Sequence, residues 1–174
     1  FALMVQWLDA ISADPAPLTA AATRLRQRLE TTLKHPLAGF EEAAPRKLPL
    51  LANPHMHLFE ASLAWVELGQ GPDQAAWNAL ADEIAGLALS HFIDPRTGYL
   101  REFFDGEWQP APGRDGRIVE PGHLFEWAWL LVRWGTLRGR PDAVAAARRM
   151  AEAAEETGVD PVRNVVVNAI LDDG

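Results

Sequence analysis

Apolar positions recur at helical spacing along most of this chain. Residues 1–10 read as one helix. Residues 18–33 read as a second, behind the proline-rich turn Asp14-Pro15-Ala16-Pro17 and closed near Pro36. The same period predicts a third helix over 55–68, introduced by Asn53-Pro54 and stopped by Gly69, and a fourth over 73–91. A fifth covers 122–137 behind Pro121, and a sixth covers 142–156 with Gly158 as its stop. A seventh is expected to start near Pro161. The breaks after Leu68 and after Leu137 are short, so the helices they join should be antiparallel neighbours. The stretches 34–54 and 92–120 are long, and long connections in compact domains are usually functional. In the second, Asp105-Gly106 lies between aromatic-rich runs, which predicts a small β-hairpin.

The helical pattern contains a repeat. His57-Leu-Phe-Glu60 recurs, identical, as His123-Leu-Phe-Glu126, and each copy follows a proline, Pro54 or Pro121. Val66 then matches Val132, and Gly69 matches Gly135. Repeated two-helix units imply a solenoid or a closed α/α toroid. The helices carrying the repeat are apolar nearly all round, as inner helices of a toroid would be. The sixth, with Arg148, Arg149, Glu152 and Glu155, is amphipathic, as an outer helix would be. The chain opens inside an apolar helical pattern without a cap and closes just behind another apolar segment. It reads as one incomplete domain over 1–174, truncated at both ends.

On the fifth helix His123, Glu126, Trp127 and Leu130 share the i, i+3, i+4, i+7 stripe, as His57, Glu60, Ala61 and Ala64 do on the third. Two histidines and two glutamates are therefore expected around one cavity. Asn53 and His55 lie just ahead of the first copy, Arg114 and Arg117 just ahead of the second. Imidazole titrates near neutrality and can take and return a proton, the step an aldose–ketose exchange requires. His55 and His57 point apart on a helix, and no cysteine or glutamate-rich shell surrounds them, so no metal is expected. His35 and His91 fall at helix ends, where solvated or capping roles are expected.

Composition narrows the partners. A net charge of -8 argues against nucleic acid and against an anionic membrane surface. No apolar run approaches the roughly 20 residues of a membrane span. The chain has no cysteine, which fits a reducing cytoplasm. Seven tryptophans against one tyrosine suit either a packed core or a carbohydrate pocket.

The strings Asn53-Pro-His-Met-His-Leu-Phe-Glu-Ala61 and Glu120-Pro-Gly-His-Leu-Phe-Glu-Trp-Ala-Trp-Leu-Leu131 resemble the two inner-helix signatures of the N-acylglucosamine 2-epimerase family, in its mannose isomerase-like bacterial branch. The resemblance extends over essentially the whole chain. It implies an all-α fold, the middle part of an (α/α)6 barrel, and an isomerase or 2-epimerase acting through an enediol(ate) on a small sugar, without a cofactor. By position it makes His123 a proton-shuttling histidine and Glu126 the acidic residue one turn on. It makes Asn53, His57 and Trp127 pocket residues; Glu60, from the stripe of the third helix, and Arg114, from the loop, are added as contacts to substrate. It also implies a second catalytic histidine in a later helix. No histidine follows His123 here, so the chain alone is expected to be inactive. Mannose-type isomerisation leads the readings. The competing ones are N-acylglucosamine 2-epimerase activity, a glycoside hydrolase built on Glu60 and Glu126, and a non-catalytic helical-repeat binding module. Oligomeric state is left open.

Overall fold

The structure, a computed structural model, describes residues 14, 16–69 and 72–173. The helix expected over 1–10 lies outside the described residues. Five α-helices dominate: α1 (Ala16–Thr32), α2 (Asn53–Leu68), α3 (Gln74–Leu87), α4 (Pro121–Arg138) and α5 (Pro141–Gly158). A π-turn over Ala88–Phe92 prolongs α3, so the helical pattern read over 73–91 is present in two geometries. Pro54 and Pro121 sit in the first turns of α2 and α4, where a missing N–H removes no helical hydrogen bond. Gly139, at φ +62, ends α4 in the left-handed region.

The helices pack as two hairpins, α2 with α3 and α4 with α5, and α2 lies against α4. This is the helical-hairpin arrangement of an (α/α)6 barrel, with α2 and α4 inside and α3 and α5 outside. Burial follows from the sequence pattern. The outer helix α5 buries the single stripe Ala143, Ala146, Ala147, Met150, Ala153 and Ala154. Inner α2 buries Met56, Phe59 and the whole run Ala61–Trp65. Stacked Trp65 and Trp77, with ring centroids 5.4 Å apart, join α2 to α3. Complete burial of a side chain such as Phe59 or Leu63 stabilises by ~1.5–3 kcal/mol. Arg133 and Glu67 form a 2.7 Å ion pair across the two inner helices.

The long connections pair with each other and not only with themselves. β1 (Leu50–Leu51) runs antiparallel to β2 (Phe103–Phe104). The chain does reverse at Asp105-Gly106, with Asp105 N–H donating to Gln109 O and Ala111 N–H donating to Phe103 O. The regular ladder of β2, however, is with the other loop. β3 (Ile118–Val119) pairs with β6 (Ile170–Leu171), and β4 (Val159–Asp160) pairs with β5 (Val165–Val166). The helix expected near Pro161 is therefore a β-turn and strand. Asp160 Oδ1 accepts the N–H groups of Val162 and Arg163, Asn164 sits at φ +55, and the β-branched run Val165–Val167 follows. That local capping competes with helix formation and wins.

The loop ahead of β3 closes tightly on itself at Gly116. A Cβ there would lie 1.9 Å from the Ala111 carbonyl oxygen and 2.7 Å from its nitrogen. Both are backbone atoms that cannot rotate away. Gly116→Ala should destabilise by about 1–3 kcal/mol. A denaturant titration would read this as a lower midpoint at unchanged slope; an unmoved midpoint would show that the loop yields.

Candidate active site

The site begins with alternation. From Leu100 to Phe104, through a bend at Glu102, residues at even numbers point inward: Leu100 and Phe104 are buried, and so is Glu102, 3% exposed. Among the described residues Glu102 is the one buried carboxylate. Both loops hold its backbone: Ala52 N–H donates to Glu102 O, and Glu102 N–H donates to Ile118 O. Its side chain meets the first turn of α4. His123 Nδ1 lies 3.1 Å from Glu102 Oε1 and 3.3 Å from Glu120 Oε2.

The contact between His123 and Glu102 is close but not linear. Neither Nδ1 nor Oε1 meets hydrogen-bond geometry with any partner, and both are sealed from solvent. At 3.1 Å the carboxylate's charge acts on the ring through proximity, without alignment. Both members hold protons more strongly than usual. The Glu102 interaction raises the His123 pKa against the cost of burial, with Glu120 and Glu126 adding to it. Burial raises the Glu102 carboxyl, with the Glu120 charge adding to it, opposed by His123 and by the Glu120 backbone N–H. Glu102, Glu120 and His123 also form the group of potential metal-ligand atoms found among the described residues, all within 4.8 Å.

A cavity of about 300 Å³ opens beside them, lined by Glu120, Gly122, His123, Val166, Val167 and Asn168. The segment behind α5 forms its second wall. Pairing of β6 with β3 holds that segment in place, as does Asp172, which accepts from Arg101 at 3.0 Å and from Arg117 at 2.9 Å. These two arginines hold the Asp172 carboxyl below the usual range. A larger cavity of about 560 Å³ lies toward the other end of α4 and is lined by Asp82, Ser90, Trp134, Arg138 and Arg140 among others. Its charges are already matched: Arg138 with Asp82 and Asn78, and Arg140 with Asp142. The unmatched chemistry is at the His123 end, ~22 Å away along the helix.

Of the residues in the two repeat copies, His123 is the one that lines this cavity. Glu126 is exposed on the next turn, acting on His123 through its charge. Trp127, expected beside a pocket, is fully buried and packs against Phe59 and Phe92, so it is a core residue. Asn53 and Glu60 are half-buried, and His57 and Arg114 are exposed. None of these four makes a side-chain hydrogen bond or ion pair among the described residues. His35, expected to be solvated, is buried: its Nε2 donates to Gly106 O, and its Nδ1 accepts from Leu37 N–H and Trp108 Nε1–H. It pins the first long loop to the Asp105-Gly106 turn. His91 is exposed in the π-turn, as expected.

Two residues escaped the sequence reading. Glu102 carried a usable signal, an acid at the apolar phase of an alternating run between Leu100 and Phe104. Asn168 carried none, because only the β3–β6 pairing sets it at the cavity.

Comparison with known proteins follows the same lines. A family model described as N-acylglucosamine 2-epimerase (GlcNAc 2-epimerase) matches residues 1–174. A mannose-6-phosphate isomerase of Rhizobium meliloti (strain 1021) is 57% identical over 158 residues, 91% of this chain and 41% of that protein. Two solved structures share the fold: a sugar epimerase from a ruminal bacterium (TM-score 0.77, 16% identity) and the cellobiose 2-epimerase of Bacillus thermoamylovorans B4167 (TM-score 0.79, 15% identity). Each match covers 98% of this chain and 46% of the other. The chain spans less than half the length of these relatives. No helix among the described residues is long and apolar enough to cross a membrane.

Proposed function

Because this chain belongs to the N-acylglucosamine 2-epimerase family, we propose that the full-length protein moves a proton between C1 and C2 of a mannose-type sugar, with His123 as one acid/base group. The observation that carries this reading is the His123 ring itself. Its Nδ1 is buried against Glu102 and Glu120, so Nε2 is the nitrogen left for substrate, at the wall of a cavity large enough for a monosaccharide. A ring nitrogen so placed takes the proton from C2 of the open-chain aldose, leaving an enediolate. Return of a proton to C1 gives the ketose, and return to the opposite face of C2 gives the epimer. The second acid/base group comes from outside this chain, so the chain alone is inactive. Glu126 supplies negative charge one turn on, and Asn168 offers an amide to sugar hydroxyls. Asn53, His57 and Glu60 on the neighbouring inner helix supply further polar contacts. The exchange is a proton transfer and needs no added cofactor.

Phosphate is not part of the reading. Arg101 and Arg117 are both engaged by Asp172. Arg114 is the arginine of that loop without a partner among the described residues.

The test is exchange in D2O. The full-length protein is incubated with mannose, mannose 6-phosphate, fructose, glucose and N-acetylglucosamine, and C2 is followed by NMR. Deuterium entering C2 of mannose with fructose appearing is the expected result. Exchange with the phosphorylated sugar alone would keep the proton chemistry and assign Arg114 to the phosphate. No exchange with any of the sugars would remove the reading.

A further inference from the structure

We propose that Glu102 is the positioning residue of His123: it holds the Nδ1–H edge of the ring, so that Nε2 is the nitrogen presented to substrate. This rests on the proton-transfer reading of His123 and adds a residue to it.

Three observations converge. Glu102 is 3% exposed, and desolvating a carboxylate is costly unless a partner of opposite charge meets it. The positive group within reach of its side chain is His123, 3.1 Å away. The backbone of Glu102 is pinned from both sides, by Ala52 and by Ile118, so the carboxylate cannot follow a ring that swings. A carboxylate fixed in this way selects one imidazole tautomer, the one with its proton on Nδ1, and stabilises the imidazolium that forms when Nε2 takes a proton.

Every charged group around the ring works in the same direction. Glu102 approaches from the strand side, and Glu120 and Glu126 from α4 itself. Arg101 and Arg117, which could have opposed them, are bound to Asp172, and Arg117 also to Asp173. The wall from the following segment is Val166, Val167 and Asn168, which bring no charge. Among the described residues Glu102 Oε1 has no hydrogen-bond partner that would turn it away from the ring.

The experiment has two parts, both on the full-length protein. In the wild type, the ¹⁵N shifts of His123 report its neutral tautomer. Nδ1–H is expected, and Nε2–H would overturn the proposal without any variant. In Glu102→Gln, the titration of the His123 Cε1 proton and the acidic limb of the kcat profile should both move to lower pH. Removing the buried negative charge makes the imidazolium easier to deprotonate. In the same variant kcat should fall on the order of 10²-fold with KM little changed. An unmoved titration and limb would overturn the proposal. A wild type that exchanges no sugar, with the Glu102→Gln titration still displaced, would remove the catalytic reading and leave the pair standing. The two failures are therefore distinguishable.

Discussion

His123→Gln in the full-length protein should lower kcat for C2 proton exchange by 10²–10⁴-fold, the usual weight of a general acid/base group. The glutamine amide can approach Glu102 and Glu120 but cannot accept the substrate proton at neutral pH. The fold should survive, because the glutamine amide can donate to the buried Glu102 carboxylate in place of the ring and His123 is itself partly exposed at a helix start. Stopped-time NMR in D2O reads the rate, and the denaturant midpoint checks the fold. A variant that keeps more than a tenth of the activity would mean that His123 lines the cavity without doing the chemistry. For the wild type, activity should rise with pH through a value above the ordinary imidazole range. The base must be unprotonated, and its pKa is raised by Glu102.

The second large effect belongs to His55, a residue outside the proposed chemistry. It is completely buried, its Nδ1–H donates to Leu51 O, and its Nε2 accepts from Phe40 N–H, both at 2.9 Å. Its ring also meets Phe92 and Trp108 edge-on. His55 is thus a polar linchpin in an aromatic cluster, tying the first long loop to α2. His55→Leu fills much of the volume but leaves a buried N–H and a buried C=O unpaired. A loss of roughly 3–5 kcal/mol is expected. A loss under about 1 kcal/mol would show that the loop re-pairs elsewhere.

The same histidine gives the wild type a pH signature. Burial depresses the His55 pKa to about 4. A free imidazole titrates near 6.5. The neutral folded form is therefore favoured above about pH 6.5, and this stability is lost as pH falls toward 4. The total is about 3 kcal/mol. His123 has the opposite sign: its raised pKa stabilises the fold at low pH, and that contribution fades as pH rises through its folded value. Unfolding midpoints measured from pH 4 to 9 should fall on the acid side in the wild type. In His55→Leu that acid-side loss should be smaller.

Helices were legible because their signal is local. The i to i+4 hydrogen bond and the 3.6-residue period sit inside any short window, so α2, α4 and α5, and the proline starts of α2 and α4, could be read directly. The identical His-Leu-Phe-Glu repeat identified the two inner helices and brought His123 forward. The same period misled where the stripe was too broad. Trp127 follows Glu126 by one residue, and a rotation of about 100° carries it from the exposed side of α4 into the core against Phe59.

Long-range pairing was not legible. Glu102 reaches His123 because β1 and β2, strands from two loops some fifty residues apart, form one ladder with Ile118 on its other side. No window of sequence contains that ladder. The second wall of the cavity depends on β3 meeting β6 across a similar separation, secured by Asp172 between two arginines. His35 was read as solvated because a helix end usually is; its burial comes from Trp108 and Gly106, more than seventy residues away. Local hydrogen bonding determined which segments are helices and which histidine heads each inner one. Which carboxylate that histidine meets, and what closes over it, was decided by strand pairs whose energy exists only once distant backbones have come together.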